Sequence, residues 1–167
     1  MRVNLSDIRE EGLELSCGET PEELDLEYPD TGFDGKIRTT VRLTRLGENV
    51  MVTGEAEAGL VLECARCLQS FSVPLNLEIN ALFVPDTPVS GKGTERDEGL
   101  PEDEMEYHYS GKSIDMGELV REQILLAMPM VPVCKPGCRG LCSGCGKNLN
   151  LEECVCHTEE RNGSSQA

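Results

Sequence analysis

The sequence predicts an α+β fold, in which a mainly antiparallel β sheet or partly closed barrel is covered by one helix and followed by a C-terminal cysteine-rich module. Three features support this fold class. Apolar and polar residues alternate between residues 36 and 83, one amphipathic segment spans residues 116–128, and six cysteines fall between residues 134 and 156. A length of 167 residues suits one domain with appendages.

Alternation with a period of two residues predicts two long hairpins in the middle of the chain. Residues 36–44 and 50–63 both alternate and are separated by a turn. The alternation resumes over residues 71–83. The pair Cys64-Ala-Arg-Cys67 is therefore expected at the tip of the second hairpin.

Composition suggests where the ordered parts begin and end. Residues 18–35 are acidic and contain Pro and Gly, so we expect them to be solvated. Residues 85–104 combine Gly, Pro and charge, which predicts a mobile acidic loop before a last short strand near residue 105. The chain divides into an acidic N-terminal segment with short strands, a β domain, a cysteine-rich module and a disordered tail, at residues 1–35, 36–128, 129–157 and 158–167.

The predicted helix spans residues 116–128. Asp115 is placed to cap it, and Glu118 lies three residues later, in the manner of a capping box. Pro129 is expected to end the helix. Its apolar residues lie at helical spacing, so this face is expected to cover the sheet.

The C-terminal cysteines have the spacing of a metal site. They occur as Cys134-Lys-Pro-Gly-Cys138-Arg-Gly-Leu-Cys142-Ser-Gly-Cys145 and, further on, as Cys154-Val-Cys156. Thiolates at such spacings suit tetrahedral Zn²⁺ in a closed structural site. Disulfides are disfavoured because the cysteine count is odd and no secretory leader is visible. We therefore expect at least one zinc ion and, from the number of thiols, two.

Spacing alone leaves two groupings of the thiols open. In the first, the compact set is Cys142, Cys145, Cys154 and Cys156, and the long-range set is Cys64, Cys67, Cys134 and Cys138. In the second, the two CxxC pairs form one site, and Cys134, Cys138, Cys154 and Cys156 form the other. His157 could replace one thiolate, whereas Cys17 stands alone and is expected to be a small apolar residue.

The charge of the chain restricts its partners. The formal net charge is −16, with the acidic residues concentrated near the N-terminus and in the predicted loop. Such a field repels phosphate, so naked DNA is not expected as a partner, and a basic protein is the better electrostatic match. No apolar span approaches the length of a membrane helix and no leader is visible, which predicts a soluble, cytoplasmic protein.

The scarce cations lie either on one predicted hairpin strand or inside and beside the cysteine motifs. They are candidates for contact with RNA or a protein partner, and closure of both metal sites would gather them at one end of the molecule. The alternative is that they offset the charge of zinc-bound thiolates. The candidates are Lys36, Arg38, Arg42, Arg66, Lys135, Arg139 and Lys147.

The sequence contains none of the familiar catalytic motifs. There is no GxSxG elbow and no phosphate-binding loop. His108 lies between two tyrosines in a strand-like run, where a packed or surface histidine is expected. We therefore expect no enzymatic activity.

Four motifs together resemble the YceD family, which is named for large ribosomal RNA subunit accumulation. They are Glu63-Cys-Ala-Arg-Cys67, Leu119-Val-Arg-Glu-Gln-Ile-Leu-Leu-Ala-Met-Pro-Met-Val-Pro-Val-Cys134, Cys138-Arg-Gly-Leu-Cys142-Ser-Gly-Cys145-Gly-Lys-Asn-Leu-Asn150 and Cys154-Val-Cys156. The resemblance implies a role in 23S rRNA accumulation or processing and in large-subunit biogenesis, without a defined catalytic activity. It also implies large-subunit components as partners, either a basic ribosomal protein or the 23S rRNA precursor. A redox- or zinc-responsive thiol switch is the alternative interpretation of the same cysteines.

Overall fold

The computed structural model describes residues 1–28, 31–86 and 105–156. Over these residues the chain forms strands, a short 3₁₀ turn at Leu5–Asp7 and one α-helix. The elements are β1 (Arg2–Asn4), β2 (Leu13–Glu19), β3 (Thr31–Phe33), β4 (Ile37–Leu46), β5 (Asn49–Glu63), β6 (Ser70–Pro85), β7 (Met105–Tyr109), β8 (Ser113–Asp115) and α1 (Met116–Ala127).

The main sheet has the strand order β2-β4-β5-β6-β7, and β3 pairs with β5. Its pairs are antiparallel except for β6 and β7, which run parallel. A separate two-stranded ribbon joins β1 to β8. The predicted mainly antiparallel sheet with one covering helix is confirmed.

The sequence left open whether the sheet closes into a barrel, and over the described residues it does not. In the described part of the chain, β2 and β7 occupy opposite edges of the sheet and do not pair with each other. At one edge, β7 pairs with only one end of β6, from Ala81 to Pro85.

The long β5–β6 hairpin is the central element of the fold. Its register runs from Val50 opposite Phe83 to Glu63 opposite Ser70. Gly54 allows β4 to approach closely, because a Cβ at this position would lie 2.2 Å from the carbonyl oxygen of Thr40. The hairpin therefore extends in fixed register from the sheet centre to a tip beyond residue 63.

The α-helix covers the apolar face of the sheet. Its side chains Leu119 and Ile124 are buried in one cluster with residues of β4, β5 and β6. The Asp115 Oδ1 accepts hydrogen bonds from the backbone N–H groups of Gly117 and Glu118, at 3.0 and 3.4 Å, as the capping prediction requires. The helix ends at Ala127, one residue earlier than predicted, because Met128 precedes Pro129 and is extended.

The N-terminal segment is more ordered than its composition suggests. Residues 18–35 were expected to be solvated, yet Leu24 and Leu26 are 3% and 1% exposed. A short turn positions them, since Thr20 and Glu23 exchange hydrogen bonds between side chain and backbone at 2.7 and 3.3 Å. The two leucines supply enough apolar area to hold an acidic segment against the core.

Two expectations fall on parts of the chain that are not described. Most of the predicted acidic loop and the whole tail lie in residues 87–104 and 157–167, so those expectations stay predictions. Among the described residues, no helix is both long enough and apolar enough to cross a membrane.

The helix offers a matched test of the core. Replacement of Leu119, which is 1% exposed, by Ala is expected to lower the free energy of unfolding by about 2–5 kcal/mol through loss of buried area and a residual cavity. Leu126→Ala, at a position that is 69% exposed on the same helix, should change it by no more than about 0.5 kcal/mol. Urea unfolding followed by circular dichroism measures both. Equal effects of the two substitutions would contradict this placement of the helix.

Candidate metal centre

The tip of the β5–β6 hairpin is a tight turn that carries two thiols. The Cys64 N–H donates to the carbonyl of Gln69 at 3.0 Å, and the Leu68 N–H donates to the carbonyl of Cys64 at 2.9 Å. Leu68 has a φ of +57°, which closes the turn without a glycine. The turn directs both sulfurs, those of Cys64 and Cys67, into a buried cluster.

Residues 129–156, which we call the C-terminal segment, dock onto this tip through backbone hydrogen bonds. The Ala65 N–H donates to the carbonyl of Pro132 at 2.9 Å, and the Leu141 N–H donates to the carbonyl of Arg66 at 3.0 Å. The Arg66 guanidinium donates to the carbonyl of Cys138 at 3.2 Å. At Gly140 a Cβ would lie 3.0 Å from the Arg66 carbonyl oxygen, so this close approach favours glycine.

Docking assembles the first group of thiols, which we call cluster 1 and which consists of Cys64, Cys67, Cys134 and Cys138. The Sγ atoms of Cys64 and Cys138 are 3.8 Å apart, and those of Cys67 and Cys134 are 3.7 Å apart. Phe71, Val133 and Leu141 pack around the cluster. Cys64 is completely buried, and Cys67 and Cys138 are nearly so.

Hydrogen bonds to sulfur favour the thiolate form within cluster 1. The backbone N–H groups of Cys134 and Arg66 point at the Cys64 Sγ from 3.4 and 3.5 Å. The Cys134 N–H is the main cause that lowers the pKa of Cys64 to about 6. Burial instead raises the pKa of Cys134 to about 12.

The second group of thiols, cluster 2, consists of Cys142, Cys145, Cys154 and Cys156. Here the Cys154 Sγ lies 3.4 Å from the Cys145 Sγ and 3.2 Å from the Cys142 Sγ. The turn that presents Cys142 is held by a 2.8 Å bond from its N–H to the carbonyl of Lys147. The backbone N–H of Cys145 is the main cause that lowers the pKa of Cys142 to about 6.

The two clusters differ in their access to solvent. Cluster 1 has three buried members and one half-buried member. In cluster 2 Cys142 is buried, but Cys145 is exposed. A reagent in solution can therefore reach cluster 2 through Cys145 without any opening of the structure, whereas three of the four thiols of cluster 1 are shielded from it.

Both clusters have the dimensions of a four-thiolate metal site. Four sulfurs at about 2.3 Å from a tetrahedral Zn²⁺ lie about 3.8 Å from one another. All the sulfurs within each cluster lie within 4.8 Å of one another. The distances of 3.7 and 3.8 Å in cluster 1 match the tetrahedral value, and those of 3.2 and 3.4 Å in cluster 2 are shorter. The first of the two groupings considered from the sequence is the one that the structure assembles. His157 lies outside the described residues.

The candidate cations separate into two groups rather than gathering at one end. Arg38 and Arg42 lie on β4 opposite Glu57 and Thr53, before β5 reaches the hairpin tip. They form ion pairs with Glu57 at 3.4 Å and Glu14 at 2.9 Å, and Lys36 immediately precedes the same strand. Their strand register, which the sequence could not supply, keeps them away from the thiols.

The other cations lie in or beside the thiol clusters, at Arg66, Lys135, Arg139 and Lys147. Lys147 pairs with Glu152 at 3.2 Å, and the Arg66 guanidinium is engaged with the Cys138 carbonyl. Within the described part of the chain, the side chains of Lys135 and Arg139 form no ion pair and are exposed.

One residue of the site was missed from the sequence. Asn150 lies between Cys145 and Cys154, and its side-chain amide donates to the Cys138 Sγ at 3.4 Å. This asparagine follows Lys-Asn-Leu within the cysteine-rich run, a composition that also fits an ordinary solvent-exposed turn. Only the fold brings it to the sulfur.

The chain matches a known protein family. The model of the family described as large ribosomal RNA subunit accumulation protein YceD matches residues 52–165. An uncharacterized protein of Mycobacterium tuberculosis is 34% identical over 113 residues, which cover 67% of this chain and 51% of the relative. No solved structure shows significant similarity to the chain.

Two plant relatives carry a functional name. Chloroplastic proteins of Arabidopsis thaliana and Zea mays, each called large ribosomal RNA subunit accumulation protein YCED homolog 1, are 25% identical over 154 and 150 residues. These alignments cover 81% and 77% of this chain, and 47% and 51% of the relatives. The chain thus spans about half the length of the curated relatives it matches.

The family match covers most of the chain, including the β5–β6 hairpin from residue 52 onward, the helix and both thiol clusters. The motifs that suggested the resemblance lie inside the matched region. The chain belongs to the YceD family, whose name refers to the accumulation of large ribosomal subunit RNA.

Proposed function

We propose that the protein is a non-enzymatic, zinc-binding factor that supports 23S rRNA accumulation and the biogenesis of the large ribosomal subunit. The observation that carries this proposal is the family match, which includes all eight clustered cysteines within residues 52–165. The family name indicates the ribosomal role. The geometry of the clusters supports the metal.

Zinc is the metal that these ligands favour. Each cluster offers four thiolates and no carboxylate, and such a set suits Zn²⁺ rather than Mg²⁺ or Ca²⁺, which prefer oxygen. In this role zinc would be structural. Cluster 1 would fasten the C-terminal segment to the hairpin tip, and cluster 2 would close the loop from Cys142 to Cys156.

A binding role fits such sites better than catalysis. A zinc ion with four protein thiolates has no open position for water or substrate, unlike a catalytic zinc with three protein ligands. Two closed sites of this kind therefore favour a protein that binds a partner through its surface over one that catalyses a reaction. Cleavage of precursor rRNA by the pure protein would overturn this part of the proposal.

The net charge of −16 supports a basic large-subunit ribosomal protein as the direct partner. Such an acidic chain attracts lysine- and arginine-rich proteins over a Debye length and repels bare phosphate. When this partner is already bound to rRNA, the proposed points of contact with the RNA are Lys135 and Arg139. Both are exposed, form no ion pair among the described residues and lie beside ligands of cluster 1.

Metal analysis is the direct test of the sites. We expect two zinc ions per chain by native mass spectrometry of protein purified under reducing conditions. Removal with a strong chelator should release the C-terminal segment while the sheet remains folded, because the sheet core does not include the thiol clusters. Trypsin cleavage at Arg139 and Lys147 should then become rapid.

The stoichiometry distinguishes the alternatives for the metal. One zinc ion per chain would leave one cluster without a structural metal, and the Cys142→Ser and Cys138→Ser variants would identify which. A chain that carries no metal, with its thiols reactive and its segment still protected from trypsin, would contradict the structural-zinc proposal.

Deletion of the gene tests the ribosomal role. The ratio of mature 23S to 16S rRNA should fall in the deletion strain, and wild-type protein should restore it. A Cys64→Ser/Cys67→Ser variant should fail to restore the ratio, because it destroys cluster 1. Cys17→Ser is the matched control, since Cys17 belongs to neither cluster. An unchanged ratio on deletion would remove the main support for this function.

A thiol switch is the second candidate, and the exposure of Cys145 favours it. Hydrogen peroxide would oxidise two thiolates of cluster 2 to a disulfide and be reduced to water, with release of the metal. On this interpretation mild peroxide ejects one zinc ion per chain from cluster 2, and a thiol reductant with added zinc restores it. Retention of both ions at peroxide concentrations that oxidise free cysteine would exclude the switch.

A further inference from the structure

A hydrogen bond connects the two thiol clusters. Asn150 belongs to the loop between Cys145 and Cys154, which cluster 2 closes, yet its Nδ2 donates to the Sγ of Cys138 in cluster 1 at 3.4 Å. The Asn150 Oδ1 accepts from the backbone N–H of Arg139 at 2.9 Å. A single side chain of one cluster's loop therefore contacts a ligand of the other cluster and the residue after it.

The position of Asn150 is fixed by its own loop. The Asn148 Oδ1 accepts from the Asn150 backbone N–H at 2.9 Å and from its Nδ2 at 2.8 Å. The Leu149 N–H donates to the carbonyl of Gly140 at 2.9 Å, which holds the loop against the segment that links the clusters. The amide is thus preorganised, and its orientation depends on the fold of the loop.

We propose that Asn150 couples the two clusters, so that a metal in cluster 2 slows the loss of metal from cluster 1. The inference rests on the proposed zinc binding. With cluster 2 closed, the loop is short and tethered at Cys145 and Cys154, and the amide stays beside Cys138. With cluster 2 open, the tether is lost, and ordering the amide beside the sulfur costs conformational entropy.

The expected size of the effect follows from similar contacts in other metal sites. An N–H donor to a metal-bound thiolate partly neutralises its charge and fixes its orientation, and loss of such a partner typically weakens metal binding about 10- to 100-fold. Coupling of this kind is reciprocal in the equilibrium binding free energies, whereas the rates at which the two clusters lose metal need not change by the same factor. Asn150 is a positioning residue, because it acts on the metal through Cys138.

Asn150→Asp separates this role from simple support of the fold. The aspartate keeps an oxygen that accepts from the Arg139 N–H but lacks the amide N–H groups that face Cys138 and the Asn148 Oδ1. Asn150→Ala removes all three side-chain hydrogen bonds. Asn76→Asp, at an exposed position on β6, introduces the same charge away from the clusters and is the matched control.

The experiment follows each cluster separately in the full, zinc-loaded chain. The protein is challenged with EDTA, freed thiols are labelled by pulses of N-ethylmaleimide, and tryptic peptides are quantified by mass spectrometry. Cleavage after Arg139 and Lys147 separates Cys138 from Cys142 and Cys145, and these from Cys154. We expect Cys134 and Cys138 to be labelled at least about 10-fold faster in the Asn150→Asp variant, with the labelling rate of Cys142 and Cys145 changed far less.

A double-mutant cycle completes the test. The double substitution Cys145→Ser/Cys154→Ser disables cluster 2. It should accelerate labelling of Cys138 in a chain that retains Asn150. In the Asn150→Asp variant it should add little, because the hydrogen bond between the clusters is already lost. Purely additive effects would overturn the coupling while leaving zinc binding intact. Equal acceleration at every cysteine in Asn150→Asp would also overturn it, since that indicates general loosening. Absence of zinc from the wild-type chain would refute the proposed metal sites and the coupling together.

Discussion

The organisation of the molecule depends on the docking of its C-terminal segment onto the tip of the β5–β6 hairpin. Backbone hydrogen bonds between Ala65 and Pro132, and between Arg66 and Leu141, set this contact, and the four sulfurs of cluster 1 lie directly beneath it. Few apolar side chains pack around this contact, so the hydrogen bonds alone would stabilise it only weakly. A bound metal ion would add free energy to this contact in a chain that has few aromatic side chains to bury.

The sheet and the thiol clusters have different physical bases. The sheet is held by burial of aliphatic side chains under the helix, with Leu43, Val50 and Ile79 completely buried. The cysteine module has little regular secondary structure and is held by turns, N–H···S contacts and the sulfurs themselves. Chemical conditions that remove metal would therefore act on one end of the molecule and leave the rest folded.

The parts predictable from sequence are those in which the signal is local. Period-two alternation located the long hairpin, and Asp115 with Pro129 bracketed the helix to within one residue. The thiol grouping stayed open because spacing does not reveal which distant turn meets Cys64. The sequence also does not reveal the register between β4 and β5, which places Arg38 and Arg42 away from the thiols. Asn150 escaped notice because its sulfur partner lies 12 residues away and the contact requires the folded loop.

Cluster 1 has a consequence for the order in which the protein matures. Cys64 and Cys138 are separated by 74 residues, so the site cannot close until almost the whole described chain has left the ribosome. Cluster 2 spans a much shorter loop and can close by itself at lower entropic cost. If zinc is bound, metal occupancy of cluster 1 thus reports that synthesis has passed Cys138, and a chain that stops before Cys134 leaves the thiols of Cys64 and Cys67 at the hairpin tip without their partners.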